Sequence, residues 1–137
     1  MTPNIKEKTI KDVLLNFRGV ERRFSFVGSV NNIKTIDDYA HHPKEIDSVY
    51  TCLEEIYPSL RKSVIFQPHL FSRTRDFIDE FAKSLEKFDR IVLLDIYPAR
   101  EKSIKGITSK LLLDKIKNVN KSLAKENELY ELIINDN

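Results

Sequence analysis

Asp37-Asp38-Tyr39-Ala40-His41-His42-Pro43 crowds two carboxylates, a phenol and two imidazoles into one short stretch closed by a proline. Side chains of these types accept, donate and transfer protons or hold a charged ligand; they do not fill a core. Two further stretches carry similar groups. Gln67-Pro68-His69-Leu70-Phe71-Ser72-Arg73-Thr74-Arg75 offers an imidazole and two guanidinium groups, and Asp95-Ile96-Tyr97-Pro98-Ala99-Arg100-Glu101 offers two acids, a phenol and a guanidinium. Brought together, the three would make a crevice suited to an anionic ligand, which a fork-shaped donor such as Arg recognises best.

The elements around these stretches show how they could meet. Lys34-Thr35-Ile36 is short and β-prone, whereas Ile46, Val49, Tyr50, Leu53 and Ile56 recur every three or four residues, as an amphipathic helix requires. The first cluster is therefore expected on a strand-to-helix loop, with Pro43 in the first helical turn, where its missing N–H would have had no partner. Upstream, Ile10, Val13, Leu14 and Phe17 make a helix stripe ending at Gly19, Arg23–Val27 alternates, and a turn at Ser29–Asn32 leads to a strand over Lys34–Asp38. Downstream, strands at Ser63–Phe66 and Arg90–Asp95 alternate with helices marked by Phe77, Ile78, Phe81, Ala82 and Leu85, by Leu111–Ile116, and by Leu129, Leu132 and Ile133. That alternation implies an α/β fold: a Rossmann-like open, mostly parallel sheet flanked by helices. All three polar stretches then follow strand ends on one rim, the edge where such sheets bind ligands.

Composition narrows the class. The chain has 137 residues and 41% hydrophobic content, enough for one main domain with an ordinary core. Its 23 basic and 21 acidic residues give a net charge of only +2, and no basic stripe with interleaved aromatics appears, which argues against nucleic acid. Apolar runs such as Ile91-Val92-Leu93-Leu94 are far too short to span a membrane, so a cytoplasmic protein is expected. Cys52 stands alone on the apolar side of a helix and reads as core filling. Gly19, Gly28 and Gly106 are the only glycines, so neither GxxxxGK[ST] nor GxGxxG can be present. If a nucleotide is handled, its phosphates are gripped by other residues.

Each polar residue also has a plain structural reading. Asp38 can cap a turn or helix start, His41 and His42 can be solvated, and Ser72 can be an N-cap with Asp76 and Glu80 on a wet face. Arg75 and Lys87 read as solvated surface.

DDYAHHPKEI, then FQPHLFSRTRDFIDEFA, then LLDIYPAREKSIKGITS, in that order and spacing, resemble the C-terminal domain of the Mur ligases, and FRGVERRFSFVG resembles the junction after that family's central ATP-binding domain. The resemblance covers Ile10–Ser109. It implies residues 1–23 as the end of the central domain and junction, and 24–137 as the C-terminal domain. It further implies an ATP- and Mg²⁺-dependent bacterial ligase of peptidoglycan precursor synthesis. Such enzymes phosphorylate a carboxylate, here that of UDP-N-acetylmuramate, and an amine, here that of L-alanine, displaces the phosphate to form an amide. By the same resemblance Arg23, Asp38 and His41 contact the nucleotide, with Arg22 a substitute for Arg23. His41 also faces the reacting groups as the catalytic residue, while His69, Arg73 and Tyr97 hold the incoming amino acid. No metal ligand is assigned, because ATP and Mg²⁺ would be held mainly by the remaining ligase domains.

The sequence departs from that pattern at Leu70 and Phe71, where many relatives carry arginine and tyrosine, and at Arg100, where a small residue is common. It also lacks the family's final glycine-containing strand after Ile133-Ile134-Asn135-Asp136-Asn137, so a truncated domain without ligase activity of its own is expected. Three alternatives stand beside this reading: the related ligase that recycles murein tripeptide, a metal-dependent phosphoesterase built on Asp37, Asp38, His41, His42 and His69, and a noncatalytic docking module.

Overall fold

The computed structural model describes residues 5–17 and 19–134, so Asn135–Asn137, on which the expected C-terminal truncation partly turns, lie outside the described residues. The chain divides into two compact units, Met1–Tyr39 and Ala40–Asn137.

In the first unit, α1 (Glu7–Asn16) is followed by β1 (Ser25–Val30) and β2 (Ile33–Asp37). The two strands pair antiparallel, Val30 opposite Ile33 and Ser25 opposite Asp37, with a bulge between Phe26 and Gly28. Asn31 and Asn32 make the connection at φ +50° and +66°, the left-handed backbone that a two-residue hairpin turn demands and that asparagine tolerates. This corrects one expectation: β2 pairs with β1 and is not a strand of the parallel sheet. A hairpin closes over a two-residue turn, whereas parallel strands need a long crossover, so the turn signal at Ser29–Asn32 outweighed the strand–helix alternation that follows. Nothing on α1 is buried; Val13, Leu14 and Leu15 are all more than half exposed.

The second unit holds α2 (Pro43–Ile56), β3 (Ser63–Phe66), α3 (Phe71–Asp76), α4 (Ile78–Leu85), β4 (Arg90–Leu93), α5 (Ser109–Lys115), β5 (Lys121–Leu123), a single 3₁₀ turn at Glu126–Glu128 and α6 (Leu129–Ile134). Its sheet is parallel, in the order β3-β4-β5. Lys121–Leu123 is too short and too polar to announce itself in the sequence, and Phe71–Asp76 carries no apolar period that would mark it as a helix.

β4 explains its own composition. Ile91 and Leu93 point into the main core with Phe66, Phe81, Leu85, Leu112 and Ile116, while Val92 and Leu94 pack with Ala124, Leu129 and Leu132 on the other face. A strand covered on both faces needs an unbroken apolar run, and Ile91–Leu94 is one. Burying each such side chain contributes about 1.5–3 kcal/mol. Phe81 and Leu85, at 1% and 0% exposure, therefore fix α4 against the sheet. Cys52, by contrast, is only half-buried and lies outside both clusters, because its place on α2 is at the edge of the buried stripe.

The connections are tied by lysine ammonium groups. Lys62, 7% exposed, donates from Nζ to the carbonyls of Tyr57 and Leu60 at 3.2 and 3.0 Å and pairs with Glu54. The Lys121 ammonium similarly closes α5 by donating to the carbonyls of Leu113 and Ile116. No described helix is long and apolar enough to cross a membrane.

Candidate functional site

Beyond the ends of β3 and β4 the two chains continue side by side. Leu94 donates from its backbone N–H to Phe66 O at 3.0 Å, Tyr97 to Pro68 O at 2.8 Å, and Leu70 to Tyr97 O at 2.9 Å, so that His69 and Tyr97 form a parallel bridge. Their rings stack with centroids 5.5 Å apart and 23° between planes. His41, on the segment leading into α2, brings its ring to 6.2 Å from that of His69. Arg73, one turn into α3, places Nη1 3.3 Å from His69 Nδ1. Four residues singled out in the sequence, His41, His69, Arg73 and Tyr97, thus meet on one rim of the second unit.

The Arg73 contact fixes the chemistry of His69. A guanidinium has donors and no acceptor, so Nδ1 must present its lone pair and the proton of the neutral ring sits on Nε2. Neutrality is favoured independently: burial, then the charge of Arg73, then His41 hold the imidazole below its ordinary pKa, with Glu101 pulling the other way. His69 is accordingly a neutral hydrogen-bond donor through Nε2–H.

His41 is oriented by Glu45. One carboxylate oxygen, Oε2, accepts from the backbone N–H groups of His41 at 2.9 Å and His42 at 3.1 Å and lies 3.6 Å from His41 Nδ1. His42 does the helix's work instead: Nδ1 accepts from the Lys44 N–H, its ring packs edge-on against Phe77, and with Glu45 it forms a capping box ahead of Pro43. Those contacts tie His42 to the start of α2 instead of leaving it solvated.

Arg23 and Asp38 belong to the first unit. Asp38 Oδ2 accepts the Phe24 N–H at 2.7 Å, which ties the 22–24 turn to the end of β2, so its turn-capping role is real. Arg22 is occupied nearby: Nε donates to Asp37 at 3.2 Å and the guanidinium lies over the Tyr39 ring at 5.3 Å. Arg23 is exposed.

Two residues to which the sequence assigned no role of their own organise the rim. Glu45 could have been found from the His42-x-x-Glu45 spacing, since a glutamate three residues after a cap reaches back to the cap's N–H. Glu101 could not. It accepts from the Ser72 N–H at 3.0 Å and from the Ser72 hydroxyl in a short bond, across 29 residues of chain. Those bonds hold its carboxyl below the usual range. Ser72, expected as a possible N-cap, sits inside α3 and is itself capped. Leu70, one of the departures from the family pattern, has φ +73° and ψ 132°, a costly backbone for a branched side chain. Arg100 is exposed and follows Ala99 at φ +51°. Among the described residues no three His, Cys, Asp or Glu side chains gather in a set able to hold a metal ion.

Residues 22–134 match the family model described as Mur ligase, glutamate ligase domain. The chain is 54% identical over 126 residues to UDP-N-acetylmuramate--L-alanine ligase of Flavobacterium psychrophilum, covering 92% of this chain and 28% of that protein. It is likewise 54% identical to the enzyme of that name in Christiangramia forsetii, covering 88% of this chain and 26% of that protein. Among solved structures, UDP-N-acetylmuramate-alanine ligase of Thermotoga maritima superposes with a TM-score of 0.68 at 31% identity, over 88% of this chain and 25% of that one. A murein peptide ligase from Psychrobacter arcticus gives the same TM-score at 22% identity, over 91% of this chain and 26% of that one, a likeness of fold. The chain thus spans about a quarter of the length of the curated relatives it matches.

Proposed function

We infer the function from one premise: the chain belongs to the Mur ligase family, in which it is the glutamate ligase domain. The reading is that it serves an ATP-dependent ligase joining L-alanine to UDP-N-acetylmuramate in bacterial, cytoplasmic peptidoglycan precursor synthesis. The observation that carries it is the coupling of Arg73 to a neutral His69 beside Tyr97, because an amino-acid substrate needs one clamp for its carboxylate and uncharged surroundings for its amine.

In the reaction a carboxylate oxygen of UDP-N-acetylmuramate takes the terminal phosphoryl group of ATP and ADP leaves. The amine of L-alanine then attacks the acyl carbon, phosphate departs, and an amide remains. A carboxylate is a poor acylating agent and the phosphorylated form a good one, so the protein's task is to position the amine and stabilise charge. Arg73 would clamp the L-alanine carboxylate, His69 would donate from Nε2 to the same group, and Tyr97 would close the wall. The alanine ammonium must lose a proton before it attacks. Glu45 beside Nδ1 favours a proton there on His41, which leaves Nε2 as the basic nitrogen that receives it.

Arg23 and Asp38, with His41, are the proposed nucleotide contacts, Asp38 toward the ribose. The described residues gather no three-residue donor set for a metal ion and the three glycines make no phosphate loop; on this reading the ATP phosphates and Mg²⁺ belong to the remaining ligase domains. The exposed apolar side chains of α1 support assigning residues 1–23 to the end of the central domain and 24–137 to the C-terminal one, since Val13, Leu14 and Leu15 would be covered there.

ADP release tests this. The full-length protein carrying these residues should turn over with UDP-N-acetylmuramate and L-alanine and far more slowly with murein tripeptide, whereas the 137-residue chain alone should release none. Turnover by the chain alone, or a preference for tripeptide, would sink the reading.

A further inference from the structure

We propose that Glu101 is a positioning residue for the amino-acid pocket: by holding Ser72 at the start of α3 it fixes where Arg73 points and thereby sets affinity for the incoming carboxylate. This rests on the reading of the site given above.

The helix that carries Arg73 cannot hold itself. It is six residues long, far below the length at which a helix is stable alone, and Leu70 at its N-cap supplies no side-chain cap. Its start is held by a few specific bonds instead, one local and the others from the loop after β4. The Thr74 hydroxyl, fully buried, donates to Leu70 O at 2.9 Å, and Leu70 N–H is held by Tyr97 O. Glu101 attaches the first turn as well: its two carboxylate oxygens take the N–H and the hydroxyl of Ser72, the residue immediately before Arg73, and the Phe71 backbone also meets the carboxylate. Glu101 is aimed back at α3 by a tight turn in which its own N–H donates to Pro98 O at 2.9 Å and Ala99 adopts φ +51°. The loop after β4 therefore reaches the clamp by two routes, through Tyr97 to His69 and through Glu101 to Ser72. Removing the carboxylate frees the first turn of α3 and lets the guanidinium leave His69 Nδ1.

The alternative is that Glu101 merely caps a helix. Both roles lower stability when the residue is changed, and only the positioning role moves substrate affinity selectively. In the full-length protein, Glu101→Ala and Ser72→Ala should each raise KM for L-alanine about tenfold, the loss expected of a charge-assisted hydrogen bond, with KM for ATP and for UDP-N-acetylmuramate held within about twofold. Glu101→Gln keeps one acceptor oxygen and should bring KM for L-alanine back to within about threefold of the starting protein. Ser72→Ala removes only a hydroxyl and guards against a Glu101 variant that fails to fold. A fall in Tm with KM for L-alanine unchanged would show a cap and nothing more, overturning the inference alone. An unsubstituted protein that turns over no L-alanine would overturn the functional reading and this inference together.

Discussion

Tyr97 and His69 share a rung of parallel sheet although neither lies in a strand, and their rings stack 5.5 Å apart on that rung. The parallel pairing of β3 with β4 is thereby carried past the sheet edge into two loops, with the register slipping by one residue between Phe66 opposite Leu93 and His69 opposite Tyr97. A site placed in this way inherits the rigidity of the core, and its parts can be perturbed one at a time.

The stack can be separated from the hydroxyl. Tyr97→Phe keeps the ring against His69 and should change KM for L-alanine by less than about twofold. Tyr97→Ala removes an aromatic pair worth about 0.5–1.5 kcal/mol and should raise it roughly two- to tenfold. Steady-state kinetics on the full-length protein give both values, and equal effects of the two variants would assign the role to the hydroxyl instead.

Arg73→Lys preserves charge and loses the fork. A lysine cannot bond the carboxylate through two parallel donors while also meeting His69 Nδ1, so KM for L-alanine should rise on the order of tenfold or more. A change under about twofold in the same assay would mean that Arg73 does not clamp the substrate.

His69 predicts an acid sensitivity. Because the folded protein holds its pKa below the ordinary 6.5, the ring's contribution to stability is complete above that value. It is lost as pH falls from about 6.5 through the folded value, where the imidazolium meets Arg73. Glu101 is also depressed, from 4.5, so its loss falls in a lower and separable window. Thermal melts between pH 8 and 5 should show the starting protein losing more Tm below pH 6.5 than His69→Asn does. Parallel curves would exclude His69 as the source.

At Asp38 the structural role and the proposed ribose contact can be divided. Asp38→Ala leaves the Phe24 N–H without its acceptor and should cost about 1–3 kcal/mol in urea unfolding. Asp38→Asn keeps an acceptor oxygen and should recover most of that stability. If Asp38 also meets the ribose, KM for ATP will rise in both variants; if only the alanine variant is affected, the residue serves the hairpin alone.

Much of this was legible in the sequence because period and chemistry agreed. The apolar run Ile91–Leu94 announced a strand buried on both faces, the spacing from Ile46 to Leu53 announced α2, and His69, Arg73 and Tyr97 stood next to strand ends that proved to be neighbours. What stayed hidden depends on tertiary contact. β2 resembles a strand of the parallel sheet because its local pattern says nothing about its partner, and β5, with Lys121 and Ser122 at its start, shows almost no pattern of its own. The Glu101–Ser72 bond joins residues with no periodic relation, so only the folded loops bring it into view.

Lys62 carries a practical corollary. Its amine, 7% exposed and spent on the carbonyls of Tyr57 and Leu60, should be passed over by acylating reagents that mark the surface lysines, until the entry to β3 opens. Mass-spectrometric labelling at that one position would therefore report how often the base of the sheet breathes, independently of whether any substrate is bound.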